Sequence, residues 1–370
     1  MKALAVFPGE RGIRLIDRPE PAIDAPTQVL LRVLEVGICG TDKEIVAFEY
    51  GTPPDGEGHL VLGHECLAEV VETGPAVAAV SPGDLVVPTV RRPCGDPGCR
   101  ACAAGRQDFC STGMFRERGI RGAHGFMAER VVEEEQFLTR LDPGLREVGV
   151  LVEPLTIAEK AAEQARLVQQ RLPWLRDLAR EDPGAGHEAL VLGAGPVGLL
   201  GAMVLRRAGL GVTVYSKTSP GDPRQGVVAA IGARFVSADE VSAEDLVREL
   251  GPTLDLVYEA VGASALAFEV LQALGPNGIF IFTGVPGRKA PVPIDTDRMM
   301  GNLVLKNQVI LGTVNAPRHS FEAAARDLAT FRGRWPGVVE SIITTRHPLV
   351  DAAAVLTHPI RGIKSVIALV

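Results

Sequence analysis

Six cysteines stand at positions 39, 66, 94, 99, 102 and 110 of this 370-residue chain, all in its first third. Four of them, Cys94, Cys99, Cys102 and Cys110, crowd into the stretch CGDPGCRACAAGRQDFC as C-x4-C-x2-C-x7-C. Four thiolates at that spacing suit a closed, tetrahedral zinc site that pins a long loop and does no chemistry. Two disulfides are the other reading of an even cysteine count. A second group is scattered. His64 and Glu65 lie side by side in the apolar run LVLGHECLAEVVETG. The pair could open a zinc-peptidase helix, but Ala68 stands where the second histidine would be needed. A metal at His64 must therefore draw its remaining ligands from elsewhere. Cys39, in VGICGTDKEI, and Glu153, in LVEPL, offer sulfur and oxygen. A mixed sulfur, nitrogen and oxygen set collected from element ends suits a catalytic zinc with room for substrate. Cys66 sits inside the apolar run and reads as a small buried hydrophobe.

A third motif has the form of a nucleotide site. Gly193-Ala-Gly195-Pro196-Val197-Gly198 is a GxGxxG that follows the apolar run EALVL and opens a helical pattern. The first glycine permits a tight turn, the second lets backbone approach a pyrophosphate, and the third lets helix and strand pack closely. The helix N-terminus adds free N–H groups and a favourable dipole. NAD sites end the next strand with an acid for the ribose 2′-hydroxyl. Here the chain reads VTVYSKTS, with no acid before Asp222. Ser216, Lys217 and Thr218 can donate to a 2′-phosphate instead, so NADP is expected, with NAD possible.

Two kinds of element must position these groups. Residues 1–154 carry β patterns such as QVLLRVLEVGI (28–38), HLVLGHECLAEVVETG (59–74) and DLVVPTV (84–90), separated by Gly/Pro turns. From 155 the texture changes: LTIAEKAAEQARLVQQRL is a helix, and a Pro/Gly-rich link follows. Apolar strands then alternate with helices to residue 315, the pattern of a parallel sheet covered on both faces. Residues 316–370 offer a helix and strands that return to the first domain. The fold class is α/β with two domains, a mostly β catalytic domain and a doubly wound Rossmann domain. A net charge of −7 and 46% hydrophobic residues describe a globular chain and give no reason to expect nucleic acid or an anionic membrane surface. The N-terminal apolar run is short for a signal peptide, and no membrane-length run occurs. A soluble, cytoplasmic protein is expected.

GICGTD, GHE, the four-cysteine lobe and GAGPVG together resemble the zinc-dependent medium-chain alcohol dehydrogenase superfamily over essentially the whole chain. RPCGDPGCRACAAGRQDFC, GIRGAHGFMAE, LVEPLTIAEKA and LKNQVILGTVNA resemble its archaeal-type glucose dehydrogenase family. That resemblance implies a GroES-like catalytic domain and two zinc ions per chain. It implies Cys39 and His64 as ligands of the catalytic ion, with Glu65 an acid that joins or leaves the metal shell. Glu153 stands where an acid or amide approaches both metal and sugar. Thr41 touches the reacting oxygen, and Asp42 shapes the site. Glu117 and Asn307 contact sugar hydroxyls, and Asn315 lies near cofactor or substrate. The implied reaction oxidises the C1 hydroxyl of glucose, or of galactose or xylose, with hydride transfer to NADP. A homodimer or homotetramer is implied as well. The lobe has x4 where the family commonly has x2, and Ser216-Lys217-Thr218 replaces the family's Asn-Arg-Arg. A polyol or alcohol dehydrogenase, a metal-free NADP-linked reductase and a catalytically silent structural protein are the competing readings.

Overall fold

Apolar residues at nearly every position make Gln28–Gly37 a ten-residue strand buried on both faces. It is the spine of a seven-stranded sheet in the computed structural model, which describes residues 1–175, 184–219, 221–287, 291–359 and 362–369. On one side it pairs antiparallel with Glu65–Thr73, setting Gly37 opposite Glu65. Leu85–Pro88 and Leu138–Arg140 extend that side. On the other it pairs with Lys364–Ala368, setting Gly37 opposite Val366, and Ile343–Pro348 follows. Arg130–Glu134 also pairs with its first half. Both chain ends thus build one unit, Met1–Thr156 with Asn315–Val370; Ile157–Val314 forms the second. Part of the expected Pro/Gly link lies outside the described residues.

The run 59–74 is two strands rather than the single one its pattern suggests. Leu60–Val61 joins Lys2–Phe7 in a separate three-stranded sheet, while Glu65–Thr73 joins the seven-stranded one. Gly63 makes the break with φ of +91°. A Cβ there would lie 2.8 Å from both Met127 Cγ and Val36 Cγ1, so a side chain is excluded on two counts. His64 sits in that break. The run 338–348 likewise divides, into helix Val338–Ile342 and strand Ile343–Pro348.

The second unit is a six-stranded parallel sheet. Its spatial order is Arg234–Ser237, Gly211–Ser216, Glu188–Leu192, Leu254–Glu259, Leu274–Phe282, Val309–Gly312. That is order 3-2-1-4-5-6, and the direction of winding reverses between the strands Glu188–Leu192 and Leu254–Glu259. Ligands of such sheets lie in the crevice at the strands' carboxyl ends, at the reversal. Leu190, Leu192, Val257 and Phe280 are fully buried in its core. Each such side chain contributes about 1.5–3 kcal/mol by leaving water. Helix Pro196–Arg207 approaches the sheet closely because Gly201 leaves space for Tyr258; a Cβ would come within 2.3 Å of its ring.

Candidate active site

Cys39 follows the central strand and caps helix Gly40–Val46. Its Sγ accepts the Thr41 N–H at 3.3 Å, and its own N–H donates to Asp42 Oδ2 at 2.9 Å. This reciprocal box fixes the turn. His64 Nε2 lies 3.2 Å from Cys39 Sγ, while His64 Nδ1 faces Asp42 Oδ1 at 3.4 Å. Asp42 is fully buried. It therefore orients the imidazole from behind, as carboxylates do for metal-binding histidines. Ligand atoms of Cys39, His64 and Glu65 all lie within 4.8 Å of one another. Thr41, half-buried, stands in the same turn.

The residue that the sequence did not reveal here is Lys364. It is 2% exposed, forms an ion pair with Glu65 Oε2, and donates to Ile38 O at 2.8 Å. Gly37 makes the room: a Cβ there would come within 2.9 Å of Lys364 Cε and closer still to Glu65. The only hint was one lysine within the apolar run GIKSVIALV. Burial works against the lysine's charge, but Glu65, with Cys39 behind it, holds the ammonium above its usual range. Glu153, in the first turn of helix Val152–Gln169, is buried just outside the ligand group. Burial, helped by Glu65, pushes its carboxyl up to about 7 against the pull of His64 and Lys364. Burial also opposes a charged ring at His64, yet Cys39 and Asp42 lift it well above its ordinary range. Donors that bind a proton this firmly favour a divalent cation at the same place. One thiolate, one imidazole and one carboxylate suit zinc with a position left for substrate.

None of the six cysteines is disulfide-bonded. Ligand atoms of Cys94, Cys99, Cys102 and Cys110 lie within 4.8 Å of one another, so the long x4 spacing parts none of them. Asp96 folds the extra residues into a turn: its Oδ1 accepts the Gly98 N–H at 2.8 Å and its carbonyl accepts the Cys99 N–H at 3.1 Å. Backbone bonds from Cys102 and Ser111 bring the Cys99 thiol down to about 5, whereas burial pushes the neighbouring Cys102 up to about 12, so the thiols of the lobe hold their protons unevenly. Burial pushes the Cys66 thiol up, in keeping with a core side chain. A third group, Glu57, His59 and His124, is also close enough for a metal. There His124 Nδ1 accepts the Val61 N–H at 3.1 Å, which leaves its proton on Nε2, 2.8 Å from Glu57 Oε2. Both ring nitrogens are spent, and the trio is a hydrogen-bonded stack rather than a ligand set.

In the second unit, Gly193 turns at φ of +100° and Gly195 caps helix Pro196–Arg207. A Cβ on Gly198 would lie 2.0 Å from Gly193 O, so close strand–helix packing demands the third glycine. Nothing lies within 4 Å of where a Gly195 Cβ would stand, so the helix N-terminus, with Val197 in its first turn, faces open space. A pyrophosphate fits that cradle. Ser216 ends the second strand, Lys217 is exposed, and the buried Thr218 Oγ1 has no partner among the described residues. Asp222 is engaged at the start of its own helix. It caps helix Pro223–Ala230 through the Arg224 N–H at 2.9 Å and pairs with Arg224 Nη1 at 2.6 Å.

Comparison with known proteins decides the family. Residues 146–369 match the model "Glucose dehydrogenase C-terminus", and residues 25–143 match "Alcohol dehydrogenase GroES-like domain". The glucose 1-dehydrogenase of Methanocella arvoryzae is 39% identical over 94% of this chain and 93% of its own length. That of Thermoproteus tenax is 37% identical over 97% of each. The solved structure of Haloferax mediterranei glucose dehydrogenase in complex with NADP, zinc and gluconolactone superposes with a TM-score of 0.86 at 34% identity, covering 100% of this chain and 99% of that one. The chain belongs to the glucose dehydrogenase family of zinc-binding medium-chain dehydrogenases. The expected two-domain α/β architecture, with its GroES-like and Rossmann parts, is correct.

Within this glucose dehydrogenase fold, two asparagines need placing. Asn315 is expected near cofactor or substrate. Its Nδ2 donates to Glu117 Oε1 at 3.2 Å, and its Oδ1 accepts the Ala316 N–H at 2.9 Å, both within the first unit. Glu117 is buried, and Arg91 Nε and Nη2 grip the same Oε1 at 3.0 and 2.9 Å. Its Oε2 accepts no hydrogen bond from the described residues. Asn307 is expected beside Glu117 as a sugar contact; it belongs to the second unit, whereas Glu117 belongs to the first. It follows helix Thr296–Leu305 with φ of +50°, and its carbonyl accepts from Arg171 Nη2 at 2.8 Å. It thus precedes the strand Val309–Gly312, at the amino end of the parallel sheet, away from the ligand edge. An asparagine tolerates that left-handed turn, which is reason enough for its presence.

Proposed function

We propose that the chain is a cytoplasmic glucose 1-dehydrogenase that oxidises the C1 hydroxyl of D-glucose to the lactone and passes hydride to NADP, with NAD as a second acceptor. The observation that carries this reading is the convergence of Cys39, His64 and Glu65, oriented from behind by Asp42. Cys39 and His64, with Glu65 or Glu153, are assigned one zinc ion; Cys94, Cys99, Cys102 and Cys110 are assigned a second, structural one. Zinc when bound polarises the C1 oxygen, and NADP supplies the hydride acceptor. Asp42 keeps His64 turned toward Cys39. Lys364 restrains Glu65. Thr41, in the turn between Cys39 and Asp42, is assigned to the reacting hydroxyl. Glu153, raised to about 7, can hold a proton beside the centre at neutral pH. Glu117 Oε2 and Asn315 are assigned sugar hydroxyls, and a sugar lacking those hydroxyls would leave buried polar groups unpaired. Ser216, Lys217 and Thr218 are assigned the 2′-phosphate. Six unpaired cysteines fit a reducing compartment, and no described helix is long and apolar enough to cross a membrane.

A second copy of the chain is the partner we assign, as a homodimer or homotetramer. The edge strand Val309–Gly312 is only half-buried, and Val304, Leu305 and Val314 near its ends are exposed. Initial rates with glucose, galactose, xylose and sorbitol, each with NADP and NAD, test the function alongside a zinc count. Glucose-dependent NADP reduction with two zinc ions per chain is expected. Turnover of sorbitol but not glucose would move the assignment to a polyol dehydrogenase. Full activity without zinc would sink the metal-dependent reading.

A further inference from the structure

Glu259 ends the fourth strand of the parallel sheet and is 1% exposed. No cation pairs with it among the described residues. Its Oε1 accepts the Val261 N–H at 2.8 Å and the Gly262 N–H at 2.6 Å, and its Oε2 accepts the Gly284 N–H at 3.2 Å. Its carbonyl accepts both the Thr283 N–H, at 3.0 Å, and the Thr283 hydroxyl, at 2.7 Å. One residue therefore ties together the loops that leave the fourth and fifth strands. The loops themselves touch backbone to backbone. A Cβ on Gly284 would lie 2.1 Å from Gly262 N, and one on Gly262 would lie 2.6 Å from Val285 O. Above the brace, Val261 is 50% and Val285 72% exposed. Val261 also reaches the nucleotide motif, its Cγ2 only 2.5 Å from where a Gly193 Cβ would stand.

In a sheet of order 3-2-1-4-5-6 the dinucleotide crosses the carboxyl edge at the winding reversal. The glycine turn after the first strand takes the pyrophosphate, and the second strand's end takes the adenosine ribose. The other half of the dinucleotide then falls over the fourth and fifth strands, where these loops stand. A buried carboxylate with no cation is costly and persists where its acceptors are needed. Three backbone N–H groups partly neutralise it, and in return it holds the loops in one conformation. We propose that Glu259 is a positioning residue that locks residues 260–262 and 283–285 into the surface receiving the nicotinamide half of NADP. The inference rests on the NADP reading above.

The test uses the full-length, zinc-loaded protein and NADPH fluorescence titration. Binding of NADPH to the unaltered protein tests the functional reading first; absence of binding overturns that reading and this inference with it. In Glu259→Gln, one acceptor becomes an N–H2 group facing a backbone N–H, so part of the brace turns repulsive. The NADPH Kd is expected to rise about tenfold or more, with the glucose KM at saturating cofactor within about twofold. Amide hydrogen exchange is expected to quicken at 260–262 and 283–285 and not across the sheet. An unchanged Kd, or a Kd and glucose KM that rise together with faster exchange throughout the unit, overturns the proposal. Should that variant fail to fold, exchange on the unaltered protein decides: NADPH should protect 260–262 and 283–285, and no added protection there overturns it.

Discussion

Replacing Lys364 by methionine keeps most of the aliphatic stem and removes only the charged end. The lysine and Glu65 are both 2% exposed, so neither charge can turn to water when its partner is lost. Removing one member of a buried ion pair costs about 3–5 kcal/mol, because the other charge stays buried and uncompensated. The lost bond to Ile38 O, 2.8 Å in the native protein, is part of that sum. Removing both charges leaves no such residue, so Lys364→Met/Glu65→Gln should return to within about 1–2 kcal/mol of the parent. The coupling energy between the two sites is therefore expected to be at least about 2 kcal/mol. Urea unfolding of the chelated protein measures it, read through Trp335, which belongs to the same unit as the pair. A Trp174→Phe background silences the tryptophan of the other unit. A coupling below about 1 kcal/mol would refute the argument that the lysine is retained for the charge of Glu65. The metal gives an independent check: with the ammonium gone, Glu65 adds its full charge to the donor group, so zinc should bind Lys364→Met more tightly. Weaker binding would show that Lys364 shapes the ligands rather than restrains one.

Zinc analysis should find two ions per chain. Cys94→Ser and Cys39→Ser should each leave one, the first lowering the thermal midpoint with turnover largely kept and the second abolishing turnover. Acid should unfold the protein partly through Glu133. Burial alone would raise that carboxyl, but Arg92 and Arg118 hold it below its usual range. A depressed carboxylate contributes stability that is full above the unfolded value, about 4.3, and is lost as pH falls through the lower folded one. The thermal midpoint of Glu133→Gln should therefore lie below that of the parent at pH 7, and the gap should narrow toward pH 3; a constant gap would contradict this. Asn315→Ala removes the amide bound to Glu117 and should raise the glucose KM about tenfold, one to two kcal/mol, without moving the NADPH Kd. An unchanged KM would remove Asn315 from the sugar site.

What the sequence disclosed follows the range of the interactions. The glycine motif and the cysteine lobe are contiguous, so strand, turn and helix, or four thiols on one loop, could be seen in order along the chain. Cys39 and His64 were legible by residue type, but their meeting depends on pairing Gln28–Gly37 with Glu65–Thr73 and on the break at Gly63. Lys364 was hidden because it returns from more than 300 residues away, in a strand whose pattern is otherwise that of a core. The two asparagines were hard to separate for another reason. Asn307 and Asn315 both adopt positive φ, at +50° and +58°. A sequence cannot separate an asparagine kept for its backbone from one kept for its amide; only the bond to Glu117 does so.

The buried charges around Cys39 argue for what the centre is built to hold. Asp42, Glu65 and Glu153 place three carboxylates together, each less than a tenth exposed, and among the described residues Lys364 is the buried cation that pairs with one of them. His64 enters a metal site as a neutral ligand, and Cys39 enters as a thiolate. An excess of negative charge in a low-dielectric interior costs several kcal/mol per uncompensated ion. Without a metal, two groups respond to that excess: His64 holds a proton more firmly than an ordinary imidazole, and Glu153 is raised to about 7. Both responses put positive charge, or remove negative charge, beside the Cys39 sulfur. A divalent cation bound there does the same work with both protons released. Lys364 then explains why the excess is not larger still. On the proposed zinc assignment, engaging Glu65 would leave Cys39 and His64 as the fixed ligands and make the approach of Glu65 or Glu153 to the metal a choice between two carboxylates of different freedom.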